Sequence, residues 1–154
     1  FKNSKVALND FTLHKRDTSS MIIIHTYIDG ELLNSFWADG LIIATPTGST
    51  GYSLSCGGPI VFPNSGSLVI TPVAPHNLSV RPIVVPDTSV ISFEIEGRAD
   101  SFLCTLDSRF EAVTAEDKLT VRKAEVVTRF IQLHDYSFLR TLHDKLTWGK
   151  DSRN

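Results

Sequence analysis

The sequence has little of several things, and each shortage removes a class of protein. Its only methionine is Met21, and the chain opens instead on Phe1-Lys2-Asn3. That opening lacks the charged start, apolar run and small-residue cleavage site of a secretory signal. It is the opening expected of one part of a longer protein. Only two cysteines occur, Cys56 and Cys104, which excludes a disulfide-dense scaffold and fits free thiols in a cytoplasmic protein. No apolar run exceeds five residues, Met21–Ile24 and Leu41–Ala44 being typical. A membrane helix needs about 20 such residues. Excess charge is missing too: 15 basic against 17 acidic residues leave a net charge of −2. That disfavours a nucleic-acid-binding or membrane-surface module, so neither partner is expected. The five histidines, at 14, 25, 76, 134 and 143, show no metal-ligand spacing, so no metal site is expected in this chain. Repeats and low-complexity tracts are absent.

What remains is one domain-sized chain of 154 residues with 42% apolar content. A chain of this length buries roughly 70% of its unfolded surface, enough for a core without staples. Most of it reads as short strands. Ser89–Glu96 alternates Val90, Ser92, Glu94 and Glu96 against Ile91, Phe93 and Ile95, the period of a half-buried strand. Met21–Ile28 and Glu31–Phe36 flank Asp29-Gly30, a dipeptide suited to a tight hairpin whose central residues both take positive φ. Further strands are expected at Val6–Leu13, Leu41–Thr45, Ser67–Thr71, Ile83–Val85, Phe102–Leu106, Lys118–Val121 and Val126–Leu133, with the prolines falling between these runs. Thr50–Cys56 suggests a short helix. Tyr136–Trp148, with Phe138, Leu139, Leu142 and Leu146 at helical spacing and Gly149 as a stop, suggests a terminal one. The fold class is therefore all-β: a two-sheet β-sandwich of about ten short strands with a C-terminal helix. Lys15-Arg16-Asp17 reads as a solvated turn, and the basic residues of Lys118–Lys123 as an exposed strand edge.

The densest chemical signal is Asp39-Gly-Leu-Ile-Ile-Ala-Thr45-Pro-Thr-Gly-Ser-Thr50-Gly-Tyr-Ser-Leu-Ser55-Cys-Gly-Gly-Pro59. A buried strand runs into a loop of hydroxyls and glycines and then into a helix start. Gly48 and Gly51 would let backbone amides approach a ligand, and the helix start would offer unpaired N–H groups. Ser49, Thr50, Ser53 and Ser55 bring donors and acceptors, and Tyr52 a flat face for an aromatic base. No lysine follows the second glycine, so this is not a Walker loop, nor is it a dinucleotide glycine fingerprint. By itself the segment also fits a capped Ser/Gly turn, Asp39-Gly40 a hairpin turn, and Asn9-Asp10 an ordinary turn.

In context these residues resemble the NAD kinases, ATP- or polyphosphate-dependent. The long segment above is similar to that family's signature, and Asn9-Asp10 to its Asn–acidic pair. Thr71-Pro-Val-Ala-Pro-His-Asn-Leu-Ser-Val-Arg-Pro82 resembles its Pro-His…Arg-Pro stretch, and His134–Trp148 its terminal helix. The resemblance implies phosphorylation of the adenosine-ribose 2′-hydroxyl of NAD to give NADP. It implies an N-terminal α/β domain with a catalytic Gly-Gly-Asp-Gly motif and a C-terminal β-sandwich. Gly57-Gly58 is followed here by Pro59, so the motif is missing from this chain. The chain therefore corresponds to the C-terminal domain, has no catalytic residue of its own, and is expected to be inactive in isolation.

Carried over by position, the resemblance puts Asn9 on the adenine and Asp10 on the ribose hydroxyls. Thr50, Gly51, Tyr52 and Ser55 would line the adenine end, and Ser53 and Leu54 would belong to the NAD-binding set. Asp39 would lie at the NAD site, reaching it from a neighbouring subunit, and Ala74 on the nicotinamide side. It extends less directly to Arg109, where relatives often carry Gln, and to Ser20, where some carry a larger basic or His side chain. A divalent ion, Mg²⁺, would accompany ATP in the complete enzyme, with none held by this chain, and a homodimer or homotetramer is implied. Two alternatives from other classes are a lipid kinase of the diacylglycerol or sphingosine type, which the polar Thr45–Ser55 loop disfavours, and a non-catalytic ligand-binding β-sandwich.

Overall fold

The computed structural model describes residues 5–16, 20–132 and 137–147. It is built from two antiparallel sheets. The strands are β1 (Asp10–Lys15), β2 (Ile22–Ile28), β3 (Glu31–Ala38), β4 (Gly40–Ala44), β5 (Ser67–Val73), β6 (Ile83–Pro86), β7 (Ile91–Glu96), β8 (Phe102–Leu106), β9 (Arg109–Val113) and β10 (Leu119–Val121). One sheet has the order β6-β5-β4-β1-β8-β9 and the other β10-β7-β2-β3. The helices are α1 (Tyr52–Ser55) and α2 (Phe138–Leu146), with a single 3-10 turn at Gly48–Thr50. The expected sandwich with a C-terminal helix is what the chain forms.

The core follows from period-two patterning. Phe11 and Leu13 of β1, Leu41 and Ile43 of β4, Leu68 and Ile70 of β5, and Phe102 and Cys104 of β8 face inward. They meet Ile22, Ile24, Phe36, Ile91, Phe93 and Ile95 from the other sheet. Phe11 and Phe93 stack across the interface with ring centroids 5.5 Å apart. The opposite face of β4 is buried as well, because Ile42 and Ala44 pack with Val61, Val69 and Val73 beneath the 45–63 loop. That double burial explains why Leu41–Ala44 is continuously apolar rather than alternating.

Several sequence expectations need correction. Val6–Leu13 becomes strand only from Asp10, because the Asp107 carboxylate takes the amides of Leu8 (2.9 Å), Asn9 (2.7 Å) and Asp10 (3.3 Å) in place of a ladder. Residues 126–132 carry no strand; Val126, Val127, Phe130 and Ile131 are exposed and no described strand runs alongside them. Leu133 lies outside the described residues. β9 was missed because its two-residue turn, Asp107-Ser108, carries no glycine; Asp107 itself takes the positive φ of 52°. Two prolines also fall inside strands and not between them: Pro86 ends β6, and Pro72 lies in β5, where β6 pairs only with Ser67–Ile70, so the missing amide of Pro72 leaves no β6 bond unmade.

Other expectations hold. Asp29 and Gly30 have φ of 51° and 87°, as the β2–β3 hairpin requires. Ser137 caps α2 by accepting from the Arg140 amide, and Thr147 ends it in a left-handed conformation. Trp148 and Gly149 lie outside the described residues. The solvated turn expected at Lys15-Arg16-Asp17 does not hold for Lys15, which ends β1 and pairs with Asp39 at 2.6 Å; Asp17 lies outside the described residues.

Asp107 links β8–β9 to the segment entering β1. Burial would raise its pKa, but the three amides and the Arg109 guanidinium outweigh that and hold it below the usual carboxylate value. Such a group stabilises the fold above its unfolded pKa and loses that contribution as pH falls through the lowered folded value. Asp107→Ala should therefore cost about 1.5–3 kcal/mol near neutral pH, a Tm drop of roughly 3–12 °C. The deficit against the parent should shrink below about pH 4. Thermal melts of both proteins at pH 7 and pH 3 check this.

Candidate functional site

On β1, Phe11 and Leu13 point into the core, so Asp10, Thr12 and His14 point to the outer face of the larger sheet. They lie beside Ala44, Ile42 and Gly40 of β4 in register. From Asp10 to His14 this polar stripe runs about 13 Å, at roughly 3.3 Å per residue. The 45–56 segment covers its flank, and of the expected site residues Asn9, Asp10 and Tyr52 lie along it, with Asp39 and Ala74 at its far end.

One end of the stripe holds Asn9 and Asp10. The Thr45 amide donates to the Asn9 carbonyl (2.9 Å), and the Thr45 hydroxyl donates to the Leu8 carbonyl (2.7 Å). Asp10 accepts from the Thr12 hydroxyl at 3.3 Å. Burial pushes the Asp10 pKa up, the Thr12 contact lowers it, and the neighbouring Asp107 charge adds to the rise. Ionised Asp10 is thus held at some cost to stability. Arg109 sits nearby at the start of β9, but its guanidinium donates to the Val6 carbonyl and lies 3.9 Å from Asp107.

The middle is occupied by α1. Tyr52 is 41% exposed, and its hydroxyl lies 3.0 Å from His14 Nε2. Burial, then the Cys56 side chain, push the Tyr52 pKa up. Thr50 and Ser55 are exposed and Leu54 is half-buried. Ser53, in contrast, is fully buried with its hydroxyl 2.8 Å from that of Thr71, so its side chain turns into the fold and away from any ligand. Ser49 is likewise internal, donating to the Pro46 carbonyl and accepting from the Val61 amide.

The other end joins the two sheets. Asp39 is no hairpin turn: it is the single residue between β3 of one sheet and β4 of the other. Its backbone bonds Lys15 and Val73, and its carboxylate holds the Lys15 ammonium. Ala74 follows β5 at this same end, exposed, with φ of 45°. That conformation is unfavourable for alanine, and such outliers concentrate at functional positions. Ser20 is half-buried two residues ahead of Ile22, which pairs with Ala38, so it approaches this end from the smaller sheet.

Two expectations about the loop change. Gly48 does not bring its backbone to a ligand; a Cβ there would sit 2.0 Å from the Asn9 carbonyl oxygen, so the missing side chain makes room for the β1 entry. Gly51 has only the Gly48 carbonyl within reach of a Cβ, at 3.3 Å, and faces solvent. Nor does α1 offer a strong helix start: it has four residues, and the amides of Gly48, Ser49, Gly51, Leu54 and Ser55 are already bonded within the segment. Thr12, His14, Lys15 and Asp107 escaped the sequence reading. Period-two spacing from Asp10 would have found Thr12 and His14; nothing local marks Asp107. A separate cavity of about 580 Å³ opens on the β3 edge beyond the Asp39 end, lined by Trp37, His76 and Leu78, and none of the expected site residues lines it.

Comparison with known proteins places the whole chain in a family. Residues 8–133 match the family model described as the ATP-NAD kinase C-terminal domain. The chain belongs to that family. It is 57% identical over 154 residues to an NAD kinase of Cytophaga hutchinsonii, covering all of this chain and 53% of that protein. It is 49% identical over 152 residues to an NAD kinase of Bacteroides fragilis, covering 99% and 52%. Among solved structures it resembles a yeast NADH kinase complexed with NADH, with a TM-score of 0.73 and 28% identity over 94% of this chain and 45% of that one. It also resembles an NAD kinase from Archaeoglobus fulgidus in complex with ATP, with a TM-score of 0.69 and 31% identity over 77% and 46%. The chain spans about half the length of the relatives it matches. The lipid-kinase alternative draws no support from these matches.

The strained balance at Asp10 separates binding from stability. Its raised pKa means that ionisation near pH 7 opposes folding, so Asp10→Asn should leave Tm unchanged or slightly higher. Gly48→Ala should do the opposite of a surface change and lower Tm by several degrees, because backbone must move to admit the methyl group, whereas Gly51→Ala should shift it little. Melting curves of the three variants test these placements.

Proposed function

We propose that the protein carrying this domain phosphorylates the adenosine-ribose 2′-hydroxyl of NAD to give NADP, and that this domain is its NAD-binding part. The observation that carries the reading is the polar stripe of Asp10, Thr12 and His14, which runs from Asn9 past Tyr52 to the strand ends where Asp39 and Ala74 lie. Members of its family include kinases of NAD, and a structural neighbour is described with NADH bound.

The chemistry assigns distinct roles. A carboxylate accepts two O–H donors, so Asp10 suits the ribose diol, and its partial burial strengthens those bonds. The Asn9 amide presents a donor and an acceptor side by side, as an adenine edge requires. Tyr52 offers the aromatic surface, with Thr50, Gly51, Leu54 and Ser55 around it. Asp39 and Ala74 take the nicotinamide side, and assembly into a homodimer or homotetramer would bring Asp39 to a neighbour's site. Ser20 and Arg109 are peripheral to this scheme, and Ser53 contributes through its bond to Thr71. Holding the ribose in line with the donor is the contribution of this domain to phosphoryl transfer.

The general base belongs to a Gly-Gly-Asp-Gly aspartate outside this chain, and ATP or polyphosphate is the donor. A divalent ion, Mg²⁺, supplies charge neutralisation on the donor phosphates. Among the described residues no group of three His, Cys, Asp or Glu side chains could hold a metal ion. Also among them, no helix is long and apolar enough to cross a membrane. The cytoplasm, a compartment that keeps thiols such as Cys56 and Cys104 reduced, is the proposed location.

Gly51→Val tests the reading. The added bulk faces solvent beside Tyr52, so Tm should move only a few degrees. NAD affinity in the complete protein should fall by an order of magnitude or more. Unchanged NAD affinity by calorimetric titration of the folded variant would sink the assignment. The isolated 154-residue chain, given ATP and Mg²⁺, should show no turnover of NAD to NADP.

A further inference from the structure

An aromatic side chain orients a base only if its own ring is held still. Tyr52 stands on a helix of four residues and is 41% exposed, so α1 alone fixes its ring weakly. Two side chains meet its hydroxyl: Cys56, at the end of α1 itself, and His14, which comes from another element and which no motif singled out. β1 places His14 on the outer face, opposite Gly40 of β4. A Cβ at Gly40 would lie 3.1 Å from His14 Cγ and Nδ1 and 2.5 Å from the Leu13 carbonyl oxygen. Glycine there lets the imidazole lie close against the sheet. From that seat Nε2 reaches the Tyr52 hydroxyl at 3.0 Å, and the two rings run nearly parallel, 17° apart with centroids 5.9 Å from each other.

The protonation state suits the contact. Burial lowers the His14 pKa, while the Asp39 carboxylate and backbone raise it and Lys15 lowers it further, for a net decrease. The ring is therefore neutral near pH 7, with one nitrogen free to accept. In the tautomer whose other nitrogen bonds the Asp39 backbone, Nε2 is the acceptor for the Tyr52 hydroxyl. This leaves Asp39, Lys15, His14 and Tyr52 as neighbours joining the middle of the stripe to its far end.

The geometry points to His14 as a positioning residue for the dinucleotide: it holds the Tyr52 hydroxyl and so fixes the aromatic surface against which a planar base of the ligand lies. The inference rests on the NAD-binding reading above and adds a residue that reading does not contain. His14 acts through Tyr52 and does not itself touch the substrate.

The test is a double-mutant cycle in the complete protein, read by calorimetric titration with NAD and, separately, with ATP. His14→Phe keeps a ring and removes Nε2, and Tyr52→Phe keeps the aromatic surface and removes the hydroxyl. Each should weaken NAD binding by about two- to tenfold, the range of one net hydrogen bond. The double variant should be no worse than either single one, because both remove the same contact. His14→Gln, which restores an acceptor, should recover part of the loss, and ATP affinity should stay within twofold throughout. A merely structural histidine would weaken NAD and ATP alike, add its effect to that of Tyr52→Phe, and gain nothing from glutamine; that pattern overturns the inference. So does a His14→Phe protein with unchanged NAD affinity. Tyr52→Ala separates the two levels. If it weakens NAD while His14→Phe does not, only the role of His14 fails; if it leaves NAD affinity intact, the loop reading fails with it.

Discussion

The carboxylate of Asp107 gathers three consecutive amides at the point where the chain enters β1. Much of the site depends on that clamp. It stops β1 from extending backwards, turns the Leu8–Asn9 backbone toward Thr45, and leaves the Asn9 carbonyl so close to Gly48 that no side chain fits there. The 45–56 loop is therefore docked onto the β1 entry by backbone groups. Its shape does not rely on its own hydroxyls being free to seek partners.

A second constraint sits at the opposite end. β3 and β4 are separated by Asp39 alone, yet they belong to different sheets. Both Asp39 backbone groups and its carboxylate are engaged with Lys15 and Val73. That joint fixes where Gly40 falls against His14, and hence where the imidazole can meet Tyr52. The stripe is thus held at both ends by carboxylates, one accepting amides and one pairing an ammonium, while its middle is supplied by a helix too short to be rigid alone.

The loop divides its polar residues into two groups. Thr45, Ser49 and Ser53 bond inward, satisfying buried backbone and the Thr71 hydroxyl. Thr50, Tyr52 and Ser55 remain at the surface. A run rich in hydroxyls and glycine needs both: inward bonds give it one conformation, and outward groups can then present a fixed pattern to a ligand.

Much of this was legible in the sequence. Short apolar and β-branched runs between turn residues, one of them cleanly alternating, marked nine of the strands in outline, and Asp29-Gly30 marked the hairpin, because strand preference and positive φ are local properties. The motif around Thr45–Ser55, with Asn9-Asp10, was enough to point to the family. Tertiary structure decided the rest. Whether Ser53 or Ser55 faces solvent depends on how one helical turn lies over Thr71. Whether Gly48 serves a ligand or a neighbour depends on Asn9, far away in sequence. Val126–Ile131 has the apolar content of a strand but no described strand beside it, and a ladder needs a partner. Asp107 carries no local mark at all, since its importance comes from amides nearly a hundred residues earlier, which only folding brings within hydrogen-bonding distance.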